Sequence, residues 1–160
     1  MRVESLTVRI CDAEIKHALQ NMELPQGLKV VDVKIASGMI TLQLALPYNI
    51  KFHPVICLSN PTVQGAVVAL RISGPLGLSL PDIVLSSIMP VLPPGVDYLG
   101  RGLILIDLLQ IYQGAFRSLD LEGISIEPCC ITLHVACAEF DLESLPKAAS
   151  LLQTITIDES

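Results

Sequence analysis

Three cysteines, one histidine and two acidic residues lie within the short stretch EPCCITLHVACAE, residues 127–139, with Phe140 following it. Thiolate, imidazole and carboxylate groups are the ligands that zinc sites use, and thiolates are also the reactive form of redox cysteines. A metal centre or a redox-active thiol pair is the chemistry that this composition suggests. Either centre can form only if the spacing of these residues along the chain lets their side chains come together.

The spacing argues against a zinc site formed by this stretch alone. Residues 130–138 alternate as a β-strand does, and a strand rises about 3.3 Å per residue. Cys130 and His134 then share a face of the strand but lie roughly 13 Å apart. Zinc ligands must lie within about 4.6 Å of one another, because each is ~2.0–2.3 Å from the metal. A local tetrahedral site is excluded, and we predict neither a bound metal nor a cofactor.

Two other arrangements would still give chemistry. A nonlocal site would bring His134 together with Cys57 or His53 and a carboxylate, and would make the protein a thiol- or metal-dependent enzyme. Cys129 and Cys130, placed in a hairpin turn, would form a partly exposed thiol pair with a redox role. The simpler interpretation is that cysteine replaces valine or alanine in an aliphatic sheet, as free cysteine commonly does. We therefore predict that the protein is not an enzyme.

The composition points away from several functional classes. Hydrophobic residues make up 51% of the 160 residues and charged residues only 16%, against about 25% charged in ordinary globular domains. The formal net charge of −6 opposes nucleic-acid binding, which needs clustered cations. No apolar run reaches the ~18 residues of a transmembrane helix. We predict a single domain over residues 1–160, without a transmembrane segment or a nucleic-acid partner.

The N-terminus and the cysteines indicate the compartment. The first residues, MRVESLTVRICDAEIKH, carry charges every few positions and lack the apolar centre of a secretory signal. The five cysteines, an odd number, fit free thiols better than a disulfide framework. We expect a cytoplasmic location.

The hydrophobic periodicity predicts an α+β fold: a long curved antiparallel sheet packed on two or three short helices. A turn at Asn60-Pro61 separates the fourth and fifth predicted strands, and Asp12 is the expected N-cap of the first helix. The predicted strands are residues 3–10, 31–35, 40–46, 50–58, 62–73, 102–106, 119–127 and 130–138. The predicted helices are residues 12–22, 83–89, 107–113 and 144–153.

Two of the predicted hairpins resemble each other. Aligning VKIASGMITLQL, from Val33, with ISIEPCCITLHV, from Ile124, gives four identities at one constant offset. A strand and a short helix precede each hairpin, so a duplicated β-α-β-β unit over residues 3–46 and 102–138 would explain the match. The alternative is that apolar alternation makes any two hairpins look alike.

This pattern of strand-helix units and long antiparallel hairpins, aliphatic on one face and poor in aromatic residues, resembles the tubular lipid-binding (TULIP) superfamily, including its small bacterial members of unknown function. Proteins of that superfamily wrap a curved sheet about a long helix and hold a lipid acyl chain or a similar apolar ligand in the seam. The resemblance covers most of the chain and rests on the order of elements. It implies an apolar ligand held between sheet and helices.

The chain has more aliphatic surface than one small core can bury. Such surplus surface forms a ligand groove or an oligomer interface, and this limits the functions that the protein can have. Burial contributes about 25 cal/mol per Å², so covering roughly 600 Å² favours association before entropic costs. We expect a noncatalytic module that binds a lipid or other hydrophobic ligand, forms a homodimer through an aliphatic sheet surface, or does both; an ordinary closed core is the alternative. The residues expected to line the apolar seam are Ile40, Leu42, Leu44, Ile83, Ile88, Ile131, Leu133 and Val135.

Overall fold

The computed structural model describes residues 1–21, 27–46, 51, 53–75, 79, 85, 92, 94–141, 143 and 156–157. The helices predicted at residues 83–89 and 144–153 lie outside these residues, apart from Leu85. All structural statements below concern the described residues.

The described residues form ten strands and two short helices. The strands are β1 (Arg2–Cys11), β2 (Lys29–Ala36), β3 (Met39–Ala45), β4 (Val55–Gln64), β5 (Val67–Ser73), β6 (Val96–Gly100), β7 (Leu103–Asp107), β8 (Ser118–Glu127), β9 (Cys130–Glu139) and β10 (Thr156–Ile157). The helices are α1 (Asp12–Gln20) and α2 (Leu108–Ile111).

The strands divide between two antiparallel sheets. One sheet has four strands in the order β10-β1-β9-β8, and the other has six in the order β2-β3-β4-β5-β7-β6. Neighbouring strands in both sheets run antiparallel. The prediction of an α+β fold based on antiparallel strands is confirmed.

The six-stranded sheet has one continuous aliphatic face. Valine, isoleucine and leucine side chains stand opposite one another on neighbouring strands. Each cross-strand pair of this kind contributes roughly 0.2–1 kcal/mol to the stability of the sheet. Because side chains alternate along each strand, all of these pairs point to the same side of the sheet. The pairs are Val33 with Leu42, Leu42 with Ile56, Leu58 with Ile72, Leu70 with Ile104, and Val96 with Ile106.

The four-stranded sheet buries its own apolar residues around β9, which is paired on both sides by β1 and β8. Val135 and Ala138 of β9 are 5% and 1% exposed. Phe140 follows β9 and contacts the ring of Phe116, with 4.9 Å between ring centroids. The amino group of Met1 donates to the carbonyl of Phe140 (2.9 Å) and so holds the start of β1 beside the end of β9.

The tips of the two similar hairpins join the sheets. The N–H of Gly38 donates to the carbonyl of Ile126 (2.8 Å), and the N–H of Cys129 donates to the carbonyl of Ile35 (3.0 Å). Ile35 aligns with Ile126, and Gly38 aligns with Cys129, at the same offset in the two hairpin sequences. The contact is therefore reciprocal, as a local twofold relation between the hairpins requires. The duplication of a β-α-β-β unit itself stays a prediction.

The turn predicted at Asn60-Pro61 is wrong. Strand β4 continues through both residues, and the register of its pairing with β5 shifts between Ser59 and Thr62. Asn60 has φ of +50°, as an extra residue in a β-bulge tolerates. Pro61 is accepted there because a bulge interrupts the ladder hydrogen bonds that proline cannot donate. The hairpin instead turns after Gln64.

The helix starts also differ in detail from the sequence prediction. Asp12 is the first residue of α1 and Cys11 is the N-cap; the carboxylate of Glu14 accepts a hydrogen bond from the N–H of Cys11 (2.8 Å). Helix α2 is shorter than predicted, and its N-cap is Asp107, whose carboxylate accepts from the N–H of Leu109 (3.0 Å). Strand β6 is an element that the sequence analysis did not predict.

Replacing Gly38 by alanine should lower the free energy of unfolding by about 1–2 kcal/mol, because a side chain in the left-handed region costs roughly that amount. Gly38 has φ of +75°, and an added Cβ would meet nothing within 4 Å, so the cost is conformational and not a clash. Urea denaturation measures the change.

The matched control for this prediction is Gly123→Ala. An added Cβ at Gly123 would meet only Cδ2 of His134, at 3.9 Å, and alanine restricts the unfolded chain more than glycine does. This variant should keep the wild-type stability or gain slightly. An equal loss of stability in both variants would contradict the role given to Gly38.

Candidate functional site

An open apolar cavity of about 780 Å³ lies against the aliphatic face of the six-stranded sheet. Of its sixteen described lining residues, fourteen are apolar, and the two polar ones are Gln110 and Gln113. Ligand pockets usually measure about 300–1,000 Å³ and are lined mostly by hydrophobic side chains with few polar groups. The cavity therefore has the size and the chemistry of a site for a hydrophobic molecule.

The walls of the cavity follow from strand alternation. Residues two apart along a strand point to the same face, and three strands each contribute such a pair to the wall. Leu19 of α1 and Ile111 of α2 also line the cavity, and Leu92 and Pro94 complete the lining from the segment before β6. The three strand pairs are Leu42 and Leu44, Ile56 and Leu58, and Ile104 and Ile106.

An ion pair ties α1 to β2, an outer strand of the six-stranded sheet as described. The Nζ of Lys16 lies 3.2 Å from Oδ1 of Asp32 on β2. The hydrogen bond from Lys16 lowers the pKa of the Asp32 carboxyl group. The Asp32 carboxylate is thus charged at neutral pH, and its contribution to stability is lost only as the pH falls through that lowered pKa. Leu19 lies three residues after Lys16 on α1, so the same ion pair helps to place this part of the cavity wall.

The seam residues predicted from the sequence fall into three groups in the structure. Leu42 and Leu44 line the cavity, and Ile40 is buried on the same face of β3 without reaching the cavity. Three others lie on β9, in the four-stranded sheet, and do not line the cavity, because the two hairpins belong to different sheets. These three are Ile131, Leu133 and Val135. Ile83 and Ile88 lie outside the described residues.

Several cavity residues were missed by the sequence analysis. Ile56, Leu58, Ile72, Ile104 and Ile106 line the cavity but were not predicted to do so. The alternation within each strand was visible in the sequence and would have identified the wall positions. The sequence did not show which strands share a sheet, and that arrangement decides which wall positions meet in the cavity.

A second cavity, polar and about 540 Å³ in volume, lies at the end of the same sheet where β6 turns into β7. Its lining includes two arginines, Arg71 and Arg101, together with hydroxyl groups and the amide of Asn60. No carboxylate occurs among its described lining residues. Ile72 lines both cavities. Ser59 and Arg71, which pair next to Leu58 and Ile72, point to the other face of the sheet.

The nonlocal metal or thiol site is not formed by the described residues. His134 is exposed on β9, where its ring contacts Oγ1 of Thr7 (3.4 Å), whereas Cys57 is buried on β4 in the other sheet. His53 contacts the carbonyl of Leu44 (3.3 Å). Within the described part of the chain there is no group of three or more His, Cys, Asp or Glu side chains placed to hold a metal ion.

Two cysteines that the sequence analysis did not pair are neighbours across β1 and β9. The Sγ atoms of Cys11 and Cys130 lie 3.3 Å apart, and the two residues are directly opposite each other. The hydrogen bond with Cys130, followed by partial burial, raises the pKa of the Cys11 thiol. Cys129, next to Cys130, is exposed at the hairpin tip. The pair is therefore Cys11 with Cys130, and not the adjacent Cys129 with Cys130.

Comparison of the chain with protein-family models, with curated proteins and with solved structures finds no significant match. No helix among the residues that the structure describes is long and apolar enough to cross a membrane.

Treating the native protein with a low-molecular-weight disulfide should link Cys11 to Cys130. One thiol forms a mixed disulfide and the other displaces the added group, so the reagent leaves as two thiols and the protein loses two hydrogen atoms. Because the pKa of Cys11 is raised, the rate should increase with pH above the range in which an ordinary thiol ionises. Peptide mapping without reduction detects the link.

The control variant is Cys130→Ser, in which Cys11 should stop at the mixed disulfide. Cys129 should react as a single exposed thiol in both proteins. A link between Cys129 and Cys130, or no link under conditions that modify Cys129, would contradict the pairing.

Proposed function

We propose that this protein is a noncatalytic module that binds a lipid or another hydrophobic chain in the apolar cavity. The observation that carries the proposal is the cavity of about 780 Å³ with fourteen apolar residues among its sixteen described lining residues. Aliphatic walls of this kind attract a chain by removing its surface from water, at about 25 cal/mol per Å². They supply almost no hydrogen bonds, so the affinity depends on chain length and shape.

The groups that line the apolar cavity support binding over catalysis. Among its described lining residues the polar ones are two uncharged amides, Gln110 and Gln113, which hold no proton to transfer at neutral pH. A nucleophile, a general base or an oxyanion site would need titratable groups or converging donors. The order of elements, which resembles that of the tubular lipid-binding superfamily, favours the same class of ligand. We place the protein in the cytoplasm, in keeping with its five free cysteines.

Homodimerisation is the second candidate function, and an exposed leucine on an outer strand favours it. Strand β6 is an outer strand of the six-stranded sheet as described, and Leu99 of β6 is 60% exposed. Leu103, opposite the end of β6, is also exposed. An outer strand has unpaired backbone donors and acceptors that pair readily with another strand. A second copy of β6 would satisfy these groups and cover both leucines.

Chain binding is tested with single tryptophans, because the chain contains no tryptophan of its own. Ile111→Trp puts the fluorophore in the cavity wall, whereas Leu99→Trp puts it on the outer strand, away from the cavity. A fatty acid brominated in the middle of its chain should quench the Ile111→Trp fluorescence in a saturable manner and leave Leu99→Trp unchanged. Quenching that is equal in the two variants, or absent in both, would refute the proposal.

Dimerisation is tested by sedimentation of the wild-type protein and of Leu99→Arg. If β6 forms the interface, the wild type should shift to the dimer mass as the concentration rises, and Leu99→Arg should remain a monomer because an unpaired charge would be buried. The same variant should keep its affinity for the hydrophobic chain. A wild type that stays monomeric at all concentrations would rule out this second function.

A further inference from the structure

A pair of cysteines on the four-stranded sheet is placed to react with disulfides. We propose that Cys11 and Cys130 form a redox modification site, which a low-molecular-weight disulfide such as oxidised glutathione converts into a cross-strand disulfide that locks the start of α1 to the tip of the β8–β9 hairpin. Excess thiol reverses the reaction. Neither cysteine is among the described lining residues of the two cavities, so this inference does not depend on the binding of a hydrophobic chain.

The strand register lets the two sulfur atoms form a bond with little movement of the backbone. The N–H of Asp12 donates to the carbonyl of Cys129 (3.0 Å), and this makes the adjoining pair, Cys11 with Cys130, a non-hydrogen-bonded pair. The Cα atoms of such a pair lie about 4.5 Å apart, within the ~4.4–6.8 Å that disulfides span. The Sγ atoms are already 3.3 Å apart. Small rotations of the two side chains are therefore enough to bring them to the bond length of about 2.05 Å.

An ion pair covers Cys130 on the polar face of its sheet. Arg9 on β1 and Glu127 on β8 share this face with Cys130, and Nη2 of Arg9 lies 3.6 Å from Oε2 of Glu127. Strand β9 lies between β1 and β8, so the ion pair reaches across β9. Beneath it, Thr132 and Cys130 are each only 7% exposed. Both side chains of the ion pair are half-exposed, and such pairs are weak, so this cover opens easily.

The two thiols differ in access, and this sets the order of reaction. Cys11 is partly exposed and Cys130 is buried, so the reagent reaches Cys11 first. The Cys11 thiolate attacks the reagent, its S–S bond breaks, and one thiol leaves while a mixed disulfide remains on Cys11. The Cys130 thiolate then attacks Sγ of Cys11 and displaces the second thiol. In total the protein loses two hydrogen atoms, and the reagent gains them as two thiols.

The charged groups around the pair favour its thiolates unequally. Those that face it from the described elements are Arg9 of β1, Glu14 of α1 and Glu127 of β8. The hydrogen bond with Cys130 is the largest cause that raises the pKa of the Cys11 thiol, whereas the charge of Arg9 acts in the opposite direction. A hydrogen bond with Cys130 also raises the pKa of the Arg9 guanidinium. A nearby cation stabilises a thiolate, so Arg9 is a positioning residue for the attack by Cys130.

The disulfide would close a junction that main-chain hydrogen bonds already mark. Cys11 is the N-cap of α1. Cys129 accepts from the N–H of Asp12, the first residue of α1, and donates its own N–H to the carbonyl of Ile35 at the end of β2. A bond from Cys11 to Cys130 fastens the same junction covalently. It also links residues that are 119 positions apart, and closing so long a loop strongly restricts the unfolded chain.

The order of reaction is tested with oxidised glutathione on the full chain carrying Cys129→Ser, which removes the exposed thiol at the hairpin tip. Acid quenching and peptide mapping should show glutathione on Cys11 first and the link to Cys130 afterwards. Adding Cys130→Ser should stop the reaction at the Cys11 adduct, and adding Cys11→Ser should leave Cys130 unmodified over the same time. Glutathione found first on Cys130, or no link at all, would overturn the site.

The role of Arg9 is tested by measuring the linking rate against pH. Arg9→Gln should slow the reaction severalfold at neutral pH and move the rate profile to higher pH, because the thiolates lose a nearby cation. Arg9→Lys keeps the charge and should restore most of the rate. The control is Arg2→Gln, since Arg2 is exposed near the other end of β1, and it should behave as the unsubstituted protein. A profile that Arg9→Gln leaves unchanged would refute the positioning role.

The lock is tested on the linked and the reduced protein. In a glutathione redox buffer, the linked fraction should be the same whether the reaction starts from the reduced or from the oxidised chain. The linked protein should have a Tm higher by roughly 5–15 °C, and hydrogen exchange at the start of α1 should be slower. Equal Tm and equal exchange in the two forms would overturn the lock, and a link that excess thiol fails to open would overturn its reversibility.

Discussion

The aliphatic face of the six-stranded sheet is the constraint on which the rest of the structure depends. Its cross-strand pairs, such as Leu42 with Ile56 and Leu58 with Ile72, form rows that water must not reach. The described helices are short: α2 has only 4 residues, which is too little to cover six strands. Part of this face lines the open apolar cavity, together with Leu19 of α1 and Ile111 of α2.

The two sheets are joined at the tips of the two similar hairpins, and the polar cavity lies at another end of the six-stranded sheet. Because the hairpin tips exchange hydrogen bonds between Gly38 and Ile126 and between Cys129 and Ile35, this side of the sheets is occupied by main-chain contacts. The turn between β6 and β7 lies elsewhere on the sheet and lines the polar cavity. Irregular backbone at Asn60 and Arg101 brings polar side chains to that end, next to the apolar wall.

Two of the five cysteines are packed inside the sheets. Cys57 and Cys130 are buried and occupy strand positions at which a small aliphatic residue would also fit. The close pair of Cys11 and Cys130 arises because β1 and β9 are neighbours, although 119 residues separate them in sequence. Duplication of a β-α-β-β unit stays a prediction, and the reciprocal hairpin contact is what a duplicated unit would produce.

The sequence by itself determined most of the local elements, although it missed β6 and predicted a turn at Asn60-Pro61, where β4 continues. Alternation predicted β1, both similar hairpins and their turns, and it correctly identified Leu42 and Leu44 as members of one aliphatic row, because side-chain direction depends only on position along a strand. Only the tertiary structure decided which strands share a sheet. That choice separated Ile131 and Leu133 from the cavity, joined Ile104 to it, and brought Arg71 near Arg101. These are contacts between distant segments, and local periodicity holds no information about them.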